Sequence, residues 1–169
     1  MLEAGFREDL NMELFNQEID SEVVKKVSRF ASRDQLSLLT LAKDLICLFS
    51  DRLNVKELRK ISTQKDKDKL ASNKLLESVL AQKAGADRAR EIFGPIVGTY
   101  DMRVGDAHPT SSKIQNAISL AQIDQDRSFL AQGEQLIKNF GYSIRVIGEL
   151  LFEKPVSYTH LTLPTNREV

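Results

Sequence analysis

Arg103 and His108 are the two side chains whose types and spacing best suit chemistry. A histidine titrates near neutrality, so it can give or accept a proton at working pH. An arginine keeps its charge there and presents a planar fork of donors matched to phosphate oxygens. Cleavage of RNA by its own 2′-hydroxyl needs a proton acceptor for that hydroxyl and a proton donor for the departing 5′-oxygen. It also needs positive charge near the non-bridging oxygens. One imidazole does not easily act as acid and base in the same step, so two copies of the pair at a symmetric homodimer interface are the economical arrangement.

Geometry sets a condition on that pairing. Five residues advance about 500° around an ideal helix, leaving Arg103 and His108 roughly 140° apart. Gly105 loosens the helix and Pro109 disfavours helical backbone at His108, so the two can converge at a helix end. Asp106 is placed to orient the imidazole. Tyr100, one turn before Arg103, either stacks on a base or packs. A second reading stays open, in which His108 touches a backbone carbonyl or Asp106 and Arg103 makes a surface ion pair with Asp101 or Asp106.

The other histidine, His160, lies in the run Val156–Thr165, which reads VSYTHLTLPT. That run resembles the conceptual translation of a transposase-type sequencing-library adapter at all ten positions. Residues 156–169 are therefore read as a non-native tail, and fold reasoning stops at Pro155. The expectation is a single domain over 1–155, itself a fragment of a longer protein with further domains.

Hydrophobic content of 41% and charged content of 28% match an ordinary globule and exclude a disordered tail. The single cysteine, Cys47, excludes an internal disulfide and falls in the apolar run Leu45–Phe49, where a buried, inert thiol is expected. No Cys/His cluster points to zinc, and neither a metal nor a cofactor is expected. Apolar stretches fall short of a bilayer span and no signal peptide opens the chain, so no membrane association and a cytoplasmic location are expected. Formal net charge is zero but unevenly spread. Residues 1–51 hold six Lys/Arg against ten Asp/Glu, residues 52–90 eleven against five, and residues 91–155 six against eight. The middle block reads either as a solvated face or as a footprint for nucleic acid.

The elements that must position the pair are all helical, and the fold class is all-α, a bundle of about six or seven helices. Weak amphipathicity runs over residues 6–18. Asp20 or Ser21 caps a helix to about Ser32, and Asp34 a central helix rich in leucine. Asn54 caps a short helix to Ile61. The stretch 62–68 reads as a loop, and a further helix ends near Gly85. A helix from Asp87 is expected to kink or break at Gly94-Pro95 and resume from Ile96 to about Asp106. Ser112 and Gln115 fit a capping box, and residues 127–153 form the last helix. Gly133, Gly141 and Gly148 in that helix suggest close helix approach.

An Arg-x4-His beside a helix end, in a helical domain of this size, resembles the HEPN (higher eukaryotes and prokaryotes nucleotide-binding) domain over residues 20–153. Only Arg103 and His108 match its motif residue by residue. The resemblance implies a metal-independent ribonuclease acting as a dimer in phage defence or a toxin–antitoxin pair, with RNA and an antitoxin as partners. Many catalytic members carry a polar residue directly after the arginine, whereas Val104 stands there in this chain. The alternative is therefore a non-catalytic helical module for dimerisation or for binding a partner or nucleotide.

Overall fold

The computed structural model describes residues 2–31, 33–105 and 111–152. Among these residues eight α-helices and two short 3-10 turns form an all-α bundle. The helices are α1 (Leu2–Leu10), α2 (Ser21–Ser28), α3 (Gln35–Leu48), α4 (Val55–Ile61), α5 (Ser72–Ala84), α6 (Ala86–Gly105), α7 (Ser111–Leu120) and α8 (Phe129–Phe152). The turns are Ser50–Arg52 and Lys67–Lys69. Helix α6 is the axis of the bundle, with α3, α5, α7 and α8 packed around it. Helix α1 lies on α8, α2 on α3 and α4 on α5. The tail from Val156, with Tyr158 and His160, lies outside the described residues.

Local chemistry sets three of the helix starts. The Asp20 carboxylate accepts from the Glu22 N–H at 2.9 Å, and the Asn54 amide oxygen accepts from the Glu57 N–H at 3.2 Å. At Asp34 the cap is reciprocal. Its carboxylate accepts from the Ser37 N–H at 2.9 Å, and its own N–H donates to the Ser37 hydroxyl at 3.2 Å. The helix so begun buries Leu38, Leu39, Leu41, Ala42, Leu45 and Ile46, while Leu36 stays 63% exposed. Helix α5 ends at Gly85, whose φ of 84° is costly for any residue carrying a Cβ.

Four expectations are corrected. Residues 6–18 are not one helix: α1 stops at Leu10, and Asn11 turns the chain at a φ of 51°. Leu14 is then buried and Phe15 forms an antiparallel bridge with Leu53. The Asn54 N–H donates to the Leu14 carbonyl at 2.7 Å and the Asn16 N–H to the Arg52 carbonyl at 2.9 Å. These long-range bonds outweigh the weak helical pattern.

Of the kink or break expected at Gly94-Pro95, the break does not occur: α6 runs through both residues. Burial of Phe93, Ile96 and Met102 on either side of the proline holds the helix together. The buried Thr99 hydroxyl donates to the Pro95 carbonyl at 2.6 Å. The glycines of α8 also differ among themselves. Gly133 sits against the Phe30 ring and Gly148 against Leu2, but nothing approaches Gly141. A close backbone approach instead uses Gly98, which meets Ala117 and Leu120 of α7 and Ala121 just after it. Ser112 lies inside the first turn of α7, which opens at Ser111, and so does not cap it.

Candidate functional site

Arg103 occupies the last turn of α6, where its position in a long, well-packed helix fixes the start of its side chain. Its Nη1 lies 2.7 Å from both Oδ1 and Oδ2 of Asp51. Asp51 comes from the 3-10 turn Ser50–Arg52, fifty-two positions earlier in the chain. That turn is rigidly braced. Arg52 Nε donates to the Gln17 carbonyl and Nη1 to the Leu48 carbonyl, each at 3.0 Å, and the guanidinium carbon stands 4.3 Å above the Phe15 ring. The bridge between Phe15 and Leu53 closes the other side.

The ion pair is half open to solvent, with the Arg103 side chain 32% and the Asp51 side chain 40% exposed. The hydrogen bond to Asp51 pushes the Arg103 pKa upward against a smaller opposing effect of burial, so the guanidinium stays charged throughout the useful pH range. Asp51 engages only Nη1, which leaves the Nε–Nη2 edge without a bond to any described residue. A guanidinium held this way is oriented without being consumed.

Cys47 stands close to the pair. Burial, then the charge of Asp51 and a hydrogen bond to it, push the thiol pKa upward. The thiol is therefore a poor nucleophile at neutral pH, although Cys47 is half-buried and not buried as expected.

Tyr100 is 41% exposed and Val104 52%, one helical turn apart on α6. Tyr100 and its neighbour Asp101 line a cleft of about 480 Å³ between α6, the turn at Ser50–Arg52 and the start of α5. Asp51 lines the same cleft. Neither Asp101 nor Tyr100 bonds Arg103; of the partners Asp101 and Asp106 that the second reading offered, Asp101 is not used, and among the described residues the ion pair is with Asp51. The separation of fifty-two positions explains why no local pattern points to it. His108 and Asp106, the other members of the expected site, lie outside the described residues.

Part of the basic block at 52–90 is paired with acidic neighbours on its own helices. Lys60 pairs with Glu57 at 2.6 Å, Lys74 with Glu77 at 2.7 Å and Arg88 with Glu91 at 2.7 Å, all three positions apart along a helix. Such pairs belong to a solvated surface. Among the described residues no group of three or more His, Cys, Asp or Glu is placed to hold a metal ion. No described helix is long and apolar enough to cross a membrane. No protein-family model gives a significant match to the chain, and neither does any curated protein or solved structure.

Proposed function

We propose that the chain is a HEPN-like, metal-independent endoribonuclease that works as a homodimer, in phage defence or as the toxin of a toxin–antitoxin pair. The observation that carries the reading is the oriented guanidinium of Arg103, with Asp51 on Nη1 and the Nε–Nη2 edge facing no described partner. That edge can take two non-bridging phosphate oxygens side by side.

In the reaction, the 2′-oxygen forms a bond to phosphorus as its proton passes to one neutral imidazole. The phosphorus–5′-oxygen bond breaks, and the leaving oxygen takes a proton from a second, protonated imidazole. The products are a 2′,3′-cyclic phosphate and a free 5′-hydroxyl. Each protomer supplies one His108, which is why the dimer is required. Arg103 binds the phosphate and offsets the charge that develops on it. The exposed Tyr100 and Val104 beside Arg103 give α6 an apolar strip on which a second copy can seat.

A second reading rests on Asp51 and Val104. A carboxylate on the arginine and an apolar residue after it also suit a non-catalytic module for dimerisation or partner binding.

The test is RNA cleavage in excess chelator by the purified chain, with products resolved by end-group analysis. Cyclic-phosphate ends, lost in His108→Ala and in Arg103→Ala with helicity and melting unchanged, are the expected result. Cleavage that persists in His108→Ala, or a parent chain that cuts nothing as a proven dimer, overturns the ribonuclease reading.

A further inference from the structure

Arg103 and Asp51 break the pattern of the other ion pairs. Among the described residues every other pair joins groups no more than six positions apart, most of them along one helix. Asp51 instead reaches across fifty-two positions, and both its oxygens lie 2.7 Å from the same nitrogen, Nη1. A half-exposed pair adds little to stability. The last turn of α6 also favours a cation without any carboxylate beside it. Stability is therefore a poor reason for the contact.

The two partners are held very differently. Backbone on both sides of Asp51 is tied down by three separate parts of the chain. The Ser50 carbonyl accepts from the Ser72 hydroxyl of α5 at 3.1 Å, and the Arg52 carbonyl accepts from the Asn16 N–H at 2.9 Å. The Arg52 side chain adds its bonds to the carbonyls of Gln17 and of Leu48 in α3. Asp51 carries a short side chain on this braced turn. Arg103 carries a long, flexible one that hydrogen-bonds Asp51 and no other described residue. The carboxylate is thus the fixed member, and the guanidinium takes its direction from it.

A grip on Nη1 alone has a specific consequence. It stops the planar group from swinging on its stem, yet leaves the Nε and Nη2 donors for another anion. A carboxylate that took the Nε–Nη2 fork would have spent it. We infer that Asp51 is a positioning residue, whose hold on Nη1 keeps the Nε–Nη2 fork of Arg103 set for a phosphate. Its effect on cleavage rests on the ribonuclease reading; its effect on the guanidinium and on free phosphate does not. Two rival roles differ in what they foresee. A surface pair of no consequence leaves the arginine and its reaction unchanged when Asp51 is removed, and a plug that keeps phosphate off Arg103 makes the reaction faster.

Nitrogen-15 NMR of the Arg103 guanidinium reads the grip without any RNA. In the parent chain its Nη hydrogens should give separate, slowly exchanging signals, and inorganic phosphate should move the Nε–Hε signal. In Asp51→Ala the Nη signals should merge and the phosphate-induced shift should shrink severalfold, with circular dichroism unchanged. Asp51→Ser, too short to reach Nη1, should behave alike, and Asp51→Asn, which keeps an oxygen for Nη1, should restore most of both signals. In a chain that cuts RNA, kcat should fall at least about tenfold in Asp51→Ala and largely recover in Asp51→Asn, with KM moving far less. Signals already merged in the parent, or left separate by Asp51→Ala and Asp51→Ser, overturn the inference. A cleaving chain whose kcat is unchanged or raised in Asp51→Ala overturns it as well. Loss and rescue of the Arg103 signals in a chain that cuts no RNA supports the positioning and removes only the ribonuclease reading.

Discussion

Alanine placed at position 98 and alanine placed at position 141 are the same substitution in the same secondary structure, yet the structure gives them opposite signs. Both glycines lie inside long helices, where alanine is intrinsically better by about 0.8–1.0 kcal/mol. At Gly141 nothing lies within 4 Å of the new methyl group, so that gain should be expressed nearly whole. At Gly98 the methyl carbon would stand 2.6 Å from the Ala117 carbonyl oxygen and 2.8 Å from the Leu120 carbonyl carbon, and nearer still to the Ala121 nitrogen. Ordinary contacts between carbon atoms fall at about 3.5–4.0 Å, so α7 must retreat by about 1 Å. All three obstacles are backbone, and no flexible side chain can yield in their place. Overpacking of this kind costs about 1–3 kcal/mol, and the rigid obstacles point to the upper end or beyond. Set against the helix preference, a net loss of about 2 kcal/mol is expected for Gly98→Ala and a gain of about 1 kcal/mol for Gly141→Ala. With a urea dependence of about 1–3 kcal/mol per molar, their midpoints should differ by at least about 1 M. Equilibrium urea unfolding, compared at equal slopes, measures this directly. Equal midpoints for the two variants would refute the close approach of α6 and α7 on which the bundle is built.

Two further outcomes can be stated. Asn54→Ala removes the oxygen that accepts the Glu57 N–H and should cost about 1 kcal/mol in the same unfolding experiment, with the slope unchanged. Desolvation raises the folded pKa of Asp101 above its unfolded value, so folding is disfavoured once the carboxyl ionises and stability falls as pH rises through that window. Asp101→Asn should therefore raise the melting temperature at pH 7, and the gain should shrink to nothing below the ordinary aspartate range of about pH 4. A gain of the same size at pH 3 would contradict it.

The readable parts of this chain are those decided within a few residues. Asp20, Asp34 and Asn54 cap helices because a short polar side chain can reach an N–H two or three positions ahead. Gly85 ends α5 for an equally local reason. Local patterns mislead where a distant partner outweighs the local preference. Pro95 weakens a helix wherever it sits, but only the packed surroundings of Phe93, Ile96 and Met102 reveal that α6 tolerates it. Phe15 fits a helical pattern until Leu53 arrives to pair with it. The site divides along the same line. Arg103 was legible as a phosphate-type side chain, and Tyr100 as its neighbour one turn back. Asp51 was not, since nothing in its own surroundings distinguishes it from any aspartate after a helix. The cleft was equally invisible, because Ser50, Asn73 and Asp101 come together only through the packing of α5 and α6.

The first helix of the chain rests on the last one described. Gly5 leaves room for the Phe152 ring, Phe6 meets the same ring edge-on at 5.1 Å between centroids, and Leu2 lies against Gly148. During synthesis on the ribosome, α1 emerges more than a hundred residues before the surface that will cover it. Until then Leu2 and Phe6 have no native place to go, and a nascent chain stalled before α8 would present them to chaperones or proteases. The bundle thus closes like a clasp only once α8 has been made, and changes in α8 should be felt first as failed maturation of α1.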